Sequence, residues 1–225
     1  MILTLFLSVC LVVCIIAKDQ IRVTCIGDSI TEGGGCHSSS YVDNLRYLLG
    51  ENYHVMNAGK SSMTQLKKGQ CNGGGDCSYW NTDAWQNALS AQSDIVTIML
   101  GTNDAKTFNW EGVQQNTGDY FALDYISMIN MLRQSASKRV LRVYVLVPPP
   151  LYSPYPFEMN ATIINCIYPS LVRDIAEVAS VKVIDIYSAI LNSNATSDEL
   201  SCDGCHPTSY ADDIIAKTIF DAIVR

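Results

Sequence analysis

At 225 residues the chain fits one compact domain, large enough to bury a core without metal or disulfide staples. Hydrophobic residues make up 48% of it and charged residues only 16%, which excludes a disordered polyelectrolyte. A formal net charge of −7 and the lack of any Lys/Arg run argue against a nucleic-acid partner, because phosphate binding needs a basic face.

In chain order, the first element is an apolar run from Met1 to Ala17, broken only by Thr4 and Ser8. It is shorter than the roughly 20 residues a membrane span needs. Polar Lys18-Asp19-Gln20 follows, so the run reads as a signal peptide (residues 1–17) cut near Ala17, although a basic start is missing. An uncleaved signal anchor is the alternative. No later segment is long and apolar enough to span a bilayer. The expected location is therefore outside the cell or in an endomembrane lumen.

Residues 18–225 read as one domain with no internal repeat or linker. Five β-branched, apolar runs recur through it: Ile21–Gly27, His54–Gly59, Ile95–Gly101, Arg142–Val147 and Val181–Tyr187. Such continuous runs suit strands buried on both faces of a parallel sheet. Between them, Tyr120–Leu132, Ile163–Ala179 and Ala211–Val224 carry apolar residues at helical spacing. Alternating strands and helices predict an α/β fold, a doubly wound three-layer α/β/α domain with a five-stranded parallel sheet. Ligands of such sheets bind beyond the carboxyl ends of the strands.

Nine cysteines suit an oxidising compartment. Cys10 and Cys14 leave with the signal peptide, and Cys25, inside the first strand, is expected to stay unpaired. The remaining six permit many pairings. Chain proximity favours Cys71–Cys77 and Cys202–Cys205, the latter clamping its loop, with Cys36–Cys166 left over. Zinc is disfavoured, since only three histidines are present and none has finger-ligand spacing. Asn160-Ala161-Thr162 and Asn194-Ala195-Thr196 are glycosylation triplets compatible with export.

Chemistry is sought in the residues after each strand. Gly27-Asp28-Ser29-Ile30-Thr31-Glu32-Gly33 follows the first, and a serine at a strand-to-helix turn exposes its hydroxyl at the sheet edge. Ser29 and Glu32 also satisfy a capping box, but Gly33-Gly34-Gly35 would break the helix being capped. Gly59 closes the second run, Asn103 follows the third in Gly101-Thr102-Asn103-Asp104, and Asp203-Gly204-Cys205-His206-Pro207 precedes the last helix. Each has a structural alternative: a strand end, a helix cap, a plain turn. Of the three histidines, His54 starts a strand at the wrong end of the sheet, and His37 reads as a surface residue. His206 is left as the base, since an imidazole with a pKa of about 6.5 can accept and return a proton at neutral pH. No Gly-Lys-Ser/Thr pattern follows the first strand, so a phosphate loop is not indicated.

These four segments, in the order Ser, Gly, Asn, His, resemble the SGNH hydrolases, or GDSL-type esterases and lipases, over essentially the whole chain after the signal. Only Ile30 departs from the usual Gly-Asp-Ser-Leu. The resemblance implies a flavodoxin-like fold, Ser29 as nucleophile, His206 as base and Asp203 as its orienting carboxylate. It implies an oxyanion hole from Ser29, Gly59 and Asn103, and no metal or organic cofactor. The stretch Met99–Trp110 and the later Val147-Pro148-Pro149-Pro150 are similar to the carbohydrate or sialate O-acetylesterase-like branch. Its implied substrate is a small-molecule or glycan ester carrying a short acyl group. Asp28 and Trp110 are added as candidate substrate contacts, and Trp80, Trp85, Tyr152 and Tyr155 as aromatics able to stack on sugar rings, against core or loop packing for each. A lipase or lysophospholipase is the runner-up, disfavoured by the lack of a long apolar lid segment. A binding protein that lost turnover is less favoured still, because no Ser, Asn, Asp or His of the set is substituted.

Overall fold

The β-branched runs pair side by side and the amphipathic segments cover them on both faces. The computed structural model describes residues 19–111, 117–136 and 141–225; the expected signal peptide, with Cys10 and Cys14, lies outside the described residues. Strands β1 (Ile21–Gly27), β2 (Tyr53–Gly59), β3 (Ile95–Met99), β4 (Arg142–Val147) and β5 (Lys182–Asp185) form one sheet in the order β2-β1-β3-β4-β5. All neighbours are parallel.

The described helices are α1 (Ser29–Glu32), α2 (Tyr41–Leu49), α3 (Asp83–Ser90), α4 (Thr107–Trp110), α5 (Thr117–Ser135), α6 (Tyr168–Ala179), α7 (Ile186–Leu191), α8 (Ser197–Leu200) and α9 (Ser209–Val224). Successive strand residues point to opposite faces, and this divides the core in two. Cys25, Ile95, Met99, Tyr144 and Leu146 pack against α2, α7 and α9. Ile26, Val96, Ile98, Val143, Val145 and Val147 pack against α3, α5 and α6. Among the described residues no helix is long and apolar enough to cross a membrane.

Where strands stop differs from the expected runs for local reasons. Strand β3 ends at Met99 because Gly101 takes a left-handed φ of 131° that turns the chain, and a Cβ there would press on Phe121 and Tyr168. Strand β5 ends at Asp185, whose carboxylate accepts from the Ser188 N–H and so caps α7. Helix α2 was not expected. Ser40 and Asp43 form its capping box, and Tyr41, Val42, Leu45 and Leu49 form its buried stripe.

The cysteine pairing needs a correction. Cys71 bonds to Cys77 as expected, but Cys36 bonds to Cys202, while Cys166 and Cys205 are free thiols. Cys205 faces the core at 5% exposure, whereas Cys166 lies exposed on the turn leading into α6. The loop after α1 brings Cys36 within a Cα separation of 5.6 Å of Cys202. Short chain separation reports nothing about which way each thiol points.

Candidate active site

With strand order 2-1-3-4-5 the connections leave in opposite directions from β1 and β3, and a crevice opens beyond their carboxyl ends. Ser29 follows β1 and Asn103 follows β3. Asp28 caps the single turn α1 by accepting from the Ile30 N–H at 3.0 Å. As the first helical residue, Ser29 keeps an N–H with no intrahelical acceptor. Its side chain is the start of a hydrogen-bonded chain.

Ser29 Oγ lies 3.0 Å from His206 Nε2, and His206 Nδ1 lies 2.6 Å from Asp203 Oδ2. A carboxylate only accepts, so Nδ1 carries a proton, and Nε2 is the ring atom that faces the serine hydroxyl. Asp203 Oδ1 also accepts from the N–H groups of Cys205 (2.9 Å) and His206 (2.7 Å). Burial opposes ionisation of Asp203, but these bonds from His206 and Cys205 hold its carboxyl below the usual range. Gly35, at φ 88°, seats the imidazole: a Cβ there would come within 2.5 Å of the ring.

A cleft of about 240 Å³ opens over this chain, lined by Ser29, Ser61, Ser62, Asn103 and His206. Gly34, Gly35, Lys106, Phe157 and Met159 complete its wall. Asn103 is 4% exposed and donates from its carboxamide to the Met63 carbonyl at 3.2 Å, leaving its second amide hydrogen for the cleft. Its own carbonyl accepts from Asn109.

Gly59 is placed differently from the expected oxyanion donor. Its N–H is donated to Asn57 Oδ1 at 2.8 Å, and the cleft-lining residues of that segment are Ser61 and Ser62. Gly59 is instead a point of close approach, since a Cβ would meet Glu32 N at 2.1 Å and Glu32 Cα at 2.5 Å. Gly59→Ala preserves the N–H but pushes on backbone, so it is expected to cost about 1–3 kcal/mol in urea unfolding. A wild-type midpoint would refute the packing role. Ser62 takes the left-handed φ of 67°, and its N–H has no protein acceptor among the described residues. The loop before it is tied to α1: Glu32 accepts from the Ser61 N–H at 2.7 Å and from the Ser61 hydroxyl.

Other expected contacts lie elsewhere. Asp28 sits beneath the cleft at 1% exposure, and burial pushes its carboxyl up to about 6. Trp110 packs against Phe121 and Tyr168, with ring centroids 5.9 and 5.6 Å away, and does not line the cleft. Trp80 and Trp85 are core residues stacked edge to face. Tyr152 is half-buried beside Gly204, whose carbonyl accepts its N–H, and Tyr155 is exposed on the following loop. His37 lies 3.3 Å from Asp212 of α9, and His54 is exposed at the far end of the sheet. Phe157 and Lys106 are among the cleft residues that were not foreseen. Phe157, with its ring 5.8 Å from that of His206, arrives on a loop with no local signature. Lys106 stands three residues after Asn103, a lone charge that the sequence does show.

The sequence and the fold have known counterparts. The model of the GDSL-like lipase/acylhydrolase family matches residues 25–213. An acetylxylan esterase of Xylanibacter ruminicola is 32% identical over 224 residues, 92% of this chain; the chain spans only 44% of that relative's length. Among solved structures, the M. smegmatis aryl esterase superposes with a TM-score of 0.67 at 21% identity, covering 91% of this chain and 98% of that one. A carbohydrate acetylesterase from Sinorhizobium meliloti gives 0.66 at 21% identity, with 91% and 99% covered. At these identities the structures speak for the fold alone, whereas the family model covers most of the sequence. The chain belongs to the GDSL-like lipase/acylhydrolase family of ester hydrolases.

Proposed function

We propose that the protein is an exported serine esterase that removes short acyl groups, acetyl first, from a carbohydrate. The observation that carries this reading is the hydrogen-bonded chain Ser29–His206–Asp203 at the floor of an open cleft. A serine hydroxyl is a weak nucleophile until an adjacent base takes its proton. His206 takes it as Ser29 Oγ attacks the ester carbonyl, and Asp203 stabilises the imidazolium that forms. The tetrahedral oxyanion is met by the Ser29 N–H, the Asn103 amide and, in place of the Gly59 N–H, the free N–H of Ser62. His206 then protonates the leaving sugar oxygen and activates water to release the acid from Ser29.

A cleft of about 240 Å³ is small for a drug-sized or long-chain ligand, which favours a short acyl group. The acetylxylan esterase relative supports a sugar as the alcohol. Two disulfides suit export to an oxidising compartment.

Hydrolysis of an aryl acetate, together with mass spectrometry after a fluorophosphonate, tests the reading. Turnover and a single phosphonyl adduct on Ser29 are expected; a folded protein showing neither would overturn it. Asn103→Ala is expected to lower kcat by about 10²–10³-fold with native circular dichroism. Undiminished kcat would remove Asn103 from the oxyanion hole.

A further inference from the structure

Lys106 is a buried cation for which the reaction above has no use. It is only 9% exposed, yet it lines the same cleft as Ser29, Asn103 and His206. Among the described residues no carboxylate lies within ion-pair distance of its ammonium, and no acceptor within hydrogen-bond distance. A lysine so far buried is ordinarily paired, or reaches outward to bulk water.

Its backbone is pinned in place. Lys106 bridges to Met159, its N–H donates to the Asn103 carbonyl at 3.4 Å, and its carbonyl accepts from Asn109 and Trp110 at 2.8 and 2.9 Å. The stem therefore leaves from a fixed point in the wall, and the residue lines the cleft. Burial draws the Lys106 pKa below the usual lysine range, while the Cys205 thiol, Asp28, Glu158 and Asp104 favour its charged form. Asp28 accepts from Ile30, and Asp104 gives both oxygens to the N–H groups of Gln65 and Leu66. None of these groups comes within ion-pair distance, so in a chain of net charge −7 an ammonium without a salt-bridge partner lines the same cleft as the reacting serine.

Resting on the esterase reading, we infer that Lys106 forms a subsite for a substrate carboxylate, so that the preferred ester is an acetylated acidic sugar of the uronate type. The charge places the sugar through its carboxylate while Ser29 attacks the acetyl carbonyl, and Lys106 acts on binding rather than on the reacting atoms. A carboxylate could also belong to the acyl group, and the substrates below separate the two.

The full chain and its Lys106→Met and Lys106→Arg variants would be assayed on an O-acetylated methyl galacturonoside, its carboxyl methyl ester, an aryl acetate and an aryl hemisuccinate. The wild type is expected to prefer the free acid to its methyl ester by about tenfold or more in kcat/KM. Lys106→Met should collapse that ratio toward unity through KM, and Lys106→Arg should retain most of it. Equal rates on acid and methyl ester would overturn the inference. So would a Lys106→Met loss of kcat shared by all four substrates, which would place the lysine at the oxyanion. A preference for the hemisuccinate alone would overturn the acidic sugar in favour of an acidic acyl group.

Binding needs no turnover. In Ser29→Ala, methyl galacturonoside is expected to bind about tenfold more tightly than methyl galactoside by NMR titration, and Ser29→Ala/Lys106→Met to erase the difference. No difference in Ser29→Ala would overturn the subsite even if the wild type is an active esterase. A wild type without turnover would overturn the esterase reading while leaving this arm to decide on Lys106.

Discussion

Alanine at Ser29 or at His206 is expected to lower kcat on an aryl acetate by about 10⁴–10⁶-fold, and the double variant by little more. The reason is the 3.0 Å contact between Ser29 Oγ and His206 Nε2. Without the serine there is no acyl-enzyme to form; without the imidazole the hydroxyl keeps its proton. Each loss disables the same step, so the second removes almost nothing that remains. Asp203→Asn belongs to the same series. Its carboxamide would face Nδ1 with a donor or a weaker acceptor, favouring the wrong imidazole tautomer. The measurement is stopped-flow and steady-state hydrolysis on folded variants, with circular dichroism as control. Two large losses that multiplied in the double variant would show Ser29 and His206 acting independently and would break the proposed unit.

The second large effect is on stability. Replacing both Cys36 and Cys202 by serine is expected to lower the melting temperature by roughly 10 °C and to impair turnover. The bond closes a loop of sequence separation 166. In the chain-entropy picture a loop near that length is worth about 5 kcal/mol, and measured values tend to fall below it. For a domain of this size each kcal/mol moves the midpoint by about 2–4 °C. Turnover should suffer because the bond ties the two walls that hold the base. Gly35, beside Cys36, packs on the imidazole, and Cys202 precedes Asp203. Ser201 and Cys36 both contact the His206 carbonyl, so the loop is gripped from two sides. Calorimetry of the double variant reads the first effect, and kcat well below its melting point reads the second. An unchanged midpoint would show that the packing of α2 on α9 suffices to hold these loops.

Much of this was legible in the sequence because two periodicities rarely mislead over long runs. Strands β1 and β4 fall on the expected residues, and α9 was marked by Ile214, Ile215, Ile219 and Ile223 at turn spacing, of which Ile214 is only partly buried. Ser29 and Asn103 could be named because the strands that precede them could be placed, and Asp203 and His206 because the segment directly precedes the last helix. The failures share a physical character. Gly59 was read for the ligand its N–H could meet, whereas its missing side chain serves the approach of α1. Ser62 reveals itself only through a backbone angle that serine seldom adopts. Phe157 joins the cleft by tertiary packing alone, and Cys36 finds Cys202 across almost the whole described domain. Trp110 carries the right chemistry for a sugar platform, but its direction is set by Phe121 and Tyr168.

The separation of 177 residues between Ser29 and His206 also sets a clock on biosynthesis. At a synthesis rate of about 5–20 residues per second, the proposed nucleophile emerges roughly 10–35 s before its proposed base. Throughout that interval the nascent chain carries Ser29 without its proposed base, and on the proposed mechanism the hydroxyl stays unactivated. Cys36 waits almost as long for Cys202, while Cys71 and Cys77, six residues apart, appear together. Early oxidation can therefore join Cys36 to a member of the wrong couple. Where such a couple forms, thiol exchange is the route back to the Cys36–Cys202 pair.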